Sequence, residues 1–140
     1  MAKLGPIIIA EDDPDDQEIL RDILQELHVQ NELKFFDNGQ KVLNYLLQTI
    51  DHPFMILSDV NLLGMNGHDL KASINAHPEL SKRSIPFIFL TTSVEPNVLR
   101  RTYEMKVQGY FQKGDSMDQM LNMMNIIIQY WTLCKYPTNE

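Results

Sequence analysis

A chain of 140 residues with 44% hydrophobic and 22% charged residues has the length and balance of one globular domain. Its formal net charge of −7 argues against broad binding to the phosphate backbones of DNA or RNA. Its lone cysteine, Cys134, excludes an internal disulfide and fits a reducing compartment, no apolar run can span a bilayer, and Met1 to Pro6 lacks a signal-peptide stretch, so a cytoplasmic protein is expected.

Pro6-Ile7-Ile8-Ile9-Ala10 is apolar and β-branched, which predicts a buried strand running into Glu11-Asp12-Asp13. Asp13 can cap a helix with Pro14 at its first position, where no N–H is needed. Ile19, Leu20, Ile23, Leu24 and Leu27 mark one face of that helix. Asn31 to Phe36 reads as a short edge strand. Asp37-Asn38-Gly39 is a turn, and Asn38 can cap a helix with Val42, Leu43, Leu46, Leu47 and Ile50 on its inner side.

Phe54-Met55-Ile56-Leu57-Ser58 is a short apolar run suited to a strand buried on both faces, and Asp59 ends it. The turn Asn61-Leu62-Leu63-Gly64-Met65-Asn66-Gly67 leads to a helix with Leu70 and Ile74, stopped before Pro78. His77 to Ser84 reads as a polar connection. Ile85 to Thr91 is another buried strand, and Ser93 to Pro96 opens a helix with Val98, Leu99, Thr102 and Tyr103. Gly109 to Lys113 is a short last strand. Gly114-Asp115-Ser116 begins the last helix, with Met117, Met120, Leu121, Met124, Ile128 and Trp131 on its inner face. The boundaries expected are a domain over 1–134 and a frayed tail over 135–140, with no segment left for an output domain.

Strand and helix alternate throughout, which implies right-handed crossovers and a parallel sheet covered by helices on both faces. In such sheets ligands sit beyond the carboxyl ends of the strands. Those ends carry Glu11-Asp12-Asp13, Asp59, Thr91-Thr92 and Lys113. Carboxylates from two strands repel unless a cation lies between them, and Mg²⁺ is the natural one: hard, oxygen-binding and able to keep several waters. The set suits phosphoryl transfer, with Asp as nucleophile, Lys113 offsetting charge and Thr91 donating a hydrogen bond.

Four pieces of the chain resemble the receiver domain of two-component response regulators: Ile8 to Asp13, Ser58 to Gly67, Phe89 to Ser93, and Tyr110 to Lys113. The resemblance covers nearly the whole chain. It implies a flavodoxin-like (βα)5 fold, doubly wound, with a five-stranded parallel sheet in the order 2-1-3-4-5. It implies that Asp59 is the phosphoacceptor, that Glu11, Asp12, Asp59 and the Asn61 carbonyl serve Mg²⁺, and that Lys113 binds the phosphate. Thr91 and Tyr110 match the family's switch pair, and Asn61 and Ser93 match positions that tune dephosphorylation. The usual prolines are replaced by Leu63 before the turn and Gly114 after the lysine. Pro14-Asp15-Asp16 and Thr91-Thr92-Ser93 look like a subgroup of stand-alone receivers, some of them paired with phytochrome-type kinases.

The function implied is a single-domain response regulator of a phosphorelay, served by a histidine kinase or histidine phosphotransfer protein. It assists its own phosphorylation and dephosphorylation but is not otherwise an enzyme. The alternative is a receiver-fold docking module that needs no phosphorylation. The last helix also carries Met123, Ile126, Ile127 and Tyr130, an apolar surface wider than one face needs. The surface of the Pro96 helix, the last strand and the last helix is therefore expected to mediate dimerisation or target docking. His28, His52, His68 and His77 show no ligand spacing and are read as surface residues.

Overall fold

The computed structural model describes residues 2–92 and 95–135, the side chain of Ala2 excepted. After a short 3-10 turn at Ala2–Leu4, the elements run β1 (Ile7–Ala10), α1 (Pro14–Glu26), β2 (Leu33–Phe36), α2 (Gly39–Gln48), β3 (Met55–Ser58) and α3 (Gly67–Ala76). They continue as α4 (Pro78–Lys82), β4 (Phe87–Thr91), α5 (Pro96–Glu104), β5 (Gly109–Gln112) and α6 (Met117–Leu133). All pairings are parallel, in the order β2-β1-β3-β4-β5. This is the flavodoxin-like arrangement that the alternation of elements and the family resemblance led us to expect.

Side-chain alternation splits the core into two layers. Ile7 and Ile9 of β1, Met55 and Leu57 of β3, and Ile88 and Leu90 of β4 face α1 and α6. Ile8, Ile56, Phe87 and Phe89 face the opposite side, where Val42, Leu46, Leu70, Ile74 and Leu80 close over them. Central strands buried on both faces are largely apolar, which is why β1, β3 and β4 read as hydrophobic runs, with polar Ser58 and Thr91 only at the carboxyl ends of β3 and β4.

The helix starts follow local chemistry. Asp13 accepts a hydrogen bond from the Asp15 N–H and Asn38 accepts one from the Lys41 N–H, each satisfying a donor the first turn leaves open. Gly64 sits at φ +67°, a left-handed turn position that suits glycine. Among the described residues no helix is long and apolar enough to cross a membrane.

Three local expectations change. Part of the His77–Ser84 connection is the helix α4, started by Pro78 and pinned by buried Leu80. On α2, Leu47 is largely exposed and Ile50 lies beyond the helix end, fully in solvent, because the core stripe narrows to Val42 and Leu46. On α6 the buried stripe is Met120, Met124 and Ile127, so Ile127 faces inward and Met117 lies outside. Ile126, Tyr130 and Leu133 remain exposed.

Candidate functional site

The sheet register brings the strand ends to one edge. Ala10 is paired with Ser58, and the Asp59 N–H continues that ladder to the Ala10 carbonyl at 2.9 Å. The Lys113 N–H does the same to the Thr91 carbonyl at 2.7 Å. Glu11, Asp59 and Lys113 therefore leave neighbouring positions pointing into one hollow. Lys113 Nζ donates to Glu11 Oε1 at 2.6 Å, Asp16 Oδ2 at 3.0 Å and Asp59 Oδ2 at 3.1 Å. The Asp59 carboxylate also accepts from the Asn61 N–H, through Oδ1 at 3.1 Å. Glu11 Oε2 accepts the Asp13 N–H at 3.2 Å, which anchors the acid from its other side.

One cation thus answers three carboxylates. Burial alone would lower the Lys113 affinity for a proton. The hydrogen bonds and charges of Glu11, Asp16 and Asp59 outweigh it and hold the ammonium well above the usual lysine range. Glu11 is almost wholly buried, and that desolvation raises its carboxyl despite the lowering pull of Lys113. The side chain of Asp59 stays 14% exposed, so a reactant can still reach it.

Close packing fixes the position of Asp59. A Cβ at Gly67 would lie 2.4 Å from the Asp59 carbonyl oxygen and 2.6 Å from a ring carbon of Phe89. Only glycine lets α3 start this near the end of β3. The turn after Lys113 needs no proline: the Gly114 N–H meets Met120 Sδ at 3.2 Å and the Asp115 N–H meets Gln119 Oε1 at 2.7 Å. The first turn of α6 supports it, and Lys113 still reaches Asp59.

A second cleft, of about 180 Å³, adjoins the hollow and is lined by Asn61, Thr91, Tyr110, His68 and Val98 among others. Thr91 is buried, and Tyr110 is half-buried with its ring centroid 6.0 Å from that of Phe89. Burial, and then the charge of Asp59, raises the Tyr110 hydroxyl above its ordinary range. His68 is not the surface residue expected. It is half-buried, with its Nε2 2.7 Å from Thr102 Oγ1 and its ring 5.4 Å from Phe89. Its position directly after Gly67, whose tight packing draws the start of α3 inward, was the available signal.

Glu11, Asp59, Thr91, Tyr110 and Lys113 are therefore gathered at one edge. Asp12 follows Glu11 there, half-exposed and with no side-chain hydrogen bond among the described residues. Asp16, in the first turn of α1, is the added member, placed there by its 3.0 Å contact with the Lys113 ammonium. Ser93 lies outside the described residues. Among those residues no group of three or more His, Cys, Asp or Glu side chains forms a ready metal cluster.

The family model for the response regulator receiver domain matches residues 7–125. The chain belongs to the response regulator receiver family. It is 27% identical over 130 residues to the response regulator Rcp1 of Synechocystis sp., covering 89% of this chain and 87% of Rcp1. Among solved structures, the phosphorylated cyanobacterial phytochrome response regulator RcpA superposes with a TM-score of 0.85 at 25% identity, over 95% of this chain and 98% of that one. The Mn²⁺-bound form of Rcp1 gives 0.83 at 26% identity, over 95% and 99%. Phosphorylation on an aspartate is typical of this receiver family, and a module that dispenses with it is the less favoured reading.

Proposed function

We propose that Asp59 accepts a phosphoryl group from a phosphohistidine on a histidine kinase or histidine phosphotransfer protein. The observation that carries this reading is the Lys113 ammonium held 3.1 Å from Asp59 Oδ2 at the carboxyl edge of a parallel sheet. An Asp59 oxygen attacks phosphorus, the P–N bond of the donor breaks, and the imidazole leaves with the bonding pair. Lys113 is already placed to take charge on one phosphoryl oxygen, and Thr91, at the end of the adjoining strand, to donate to another. The phosphorylated state named for RcpA and the divalent ion named for Rcp1 support the same chemistry here.

The donor set fits Mg²⁺, an ion that keeps several waters and needs only one or two carboxylates. Asp12, Asp59 and the Asn61 carbonyl would hold it, with Glu11 behind them as the partner of Lys113. When bound, it neutralises the carboxylates and the charge developing on the transferred group. The protein acts on no substrate beyond its own aspartyl phosphate, whose lifetime Asn61 and Ser93 tune.

Output runs through Thr91 and Tyr110. Added charge at Asp59 turns the Thr91 hydroxyl toward the phosphate, and the Tyr110 ring moves into the cleft beside it. This changes the α5-β5-α6 surface, where a target protein or a second copy docks in the cytoplasm. Acetyl phosphate with Mg²⁺ should label the wild-type protein, seen by intact mass, and leave Asp59→Asn unlabelled. Undiminished labelling of Asp59→Asn overturns the acceptor assignment.

A further inference from the structure

A second cavity, of about 660 Å³, lies at the opposite end of the sheet. It opens where Ile85 and Gln108 lead into β4 and β5, and α3 and α4 wall it. Strands of this length put it roughly 15 Å from the Asp59 edge. Its size falls within the range of small-molecule sites, about 300–1,000 Å³.

Its chemistry is unlike the rest of the molecule. Lys71 and Lys106 line it, and among the described residues no Asp or Glu does, although the chain as a whole carries a net charge of −7. Lys71 is only 7% exposed. It makes no salt bridge or hydrogen bond among the described residues, and its nearest compensation is the face of Phe87, with Nζ 5.5 Å from the ring centroid. No fully buried side-chain nitrogen or oxygen among those residues lacks a partner, so the Lys71 ammonium keeps contact with the cavity. Burial lowers its hold on its proton, and no acid restores it. A lysine this deep without a counter-charge costs stability. Lysine on the surface of α3 would avoid that cost, so the position asks for an anion from outside.

We propose that this cavity binds a small organic anion, a carboxylate or phosphate group on an apolar body. Lys71 and Lys106 pair with the oxyanion, the hydroxyls of Ser81 and Ser84 are within the same lining, and Leu80 and Trp131 cover the apolar part. The site is separate from the phosphoacceptor hollow and does not depend on it.

Benzoate and phenyl phosphate test the two oxyanions, and benzyl alcohol, of similar shape and no charge, tests the need for charge. Followed by ¹H-¹⁵N NMR, one or both anions should shift Lys71, Ser81, Ser84 and Lys106 saturably, with benzyl alcohol inert. Lys71→Met should weaken binding by about tenfold or more, the loss expected for a charge-assisted contact, while acetyl phosphate still labels Asp59. Lys106→Gln, at an exposed position, should weaken it too and serves if Lys71→Met does not fold. Equal binding of benzyl alcohol, shifts elsewhere, no binding of either anion, or unchanged affinity in the folded variants overturns the proposal.

Discussion

The Lys113 ammonium lies 2.6 Å from Glu11 Oε1, nearer than it lies to Asp59. Glu11 is thus the resting partner of the lysine, and a phosphoryl group on Asp59 has to compete with it. The same pair holds the hollow together, because three carboxylates share this one cation. Lys113→Met should leave Glu11 buried without its counter-charge and cost on the order of 3 kcal/mol. Urea unfolding should recover part of that loss on adding Mg²⁺, which replaces the missing positive charge. A variant as stable as wild type, with no response to Mg²⁺, would show that the acids do not share the cation.

Glu11 also makes a pH prediction. Its carboxyl is raised above the ordinary 4.5 chiefly by burial, so the folded protein holds that proton more tightly than the unfolded chain does. Folding is then favoured as the pH falls through this window, and stability declines as pH rises from about 4.5 through the raised value. Glu11→Gln should remove this component. The difference in urea midpoint between wild type and variant, followed across the acid range, reads it directly. A difference independent of pH would mean that Glu11 titrates alike in both states.

Gly67→Ala should damage stability and site together. The new methyl would meet the Asp59 carbonyl oxygen at 2.4 Å, and that backbone atom cannot move without shifting the Asp59 side chain. Overpacking of this kind costs about 1–3 kcal/mol. Labelling by acetyl phosphate should slow even under conditions where the variant is fully folded. Labelling at the wild-type rate would show that the turn absorbs the methyl without moving Asp59.

The sequence makes the sheet and the strand-end chemistry legible because both are local. The short apolar runs at Ile7–Ala10, 55–57 and 87–90, bounded by turn signals, suit interior strands, and parallel connection then sends Glu11, Asp59 and Lys113 to one edge. What is not legible depends on rotation and depth. Ile127 and Met117 are equally apolar, and only the seating of α6 on β1 and β4 buries one and exposes the other. Asp16 reads as a helix-start acid, and its hydrogen bond to Lys113 spans 97 positions of sequence. Lys71, which the sequence does not single out, is buried against Phe87.

His68 and Thr102 tie the start of α3 to α5 beside the cleft lined by Thr91 and Tyr110, and the hydrogen-bond directions fix a tautomer. The Thr102 hydroxyl donates its one proton to the Val98 carbonyl at 2.7 Å, so it can only accept from His68 Nε2 at 2.7 Å. His68 is therefore protonated at Nε2. Burial first, and then the charge of Arg101, lowers its tendency to take a second proton, while Asp69 opposes weakly. The unfolded chain gains that proton near the ordinary 6.5, so this histidine's contribution to stability is present above that pH and is lost as the pH falls through its lowered folded value. Nitrogen-detected NMR should show the Nε2–H form and a midpoint below 6.5. Thr102→Val should leave the Nε2–H facing a methyl and cost about 1–2 kcal/mol. Because Phe89 touches both His68 and Tyr110, the same variant should alter Tyr110 ring resonances. A histidine that titrates at or above 6.5 in wild type would remove the basis for this link between α5 and Tyr110.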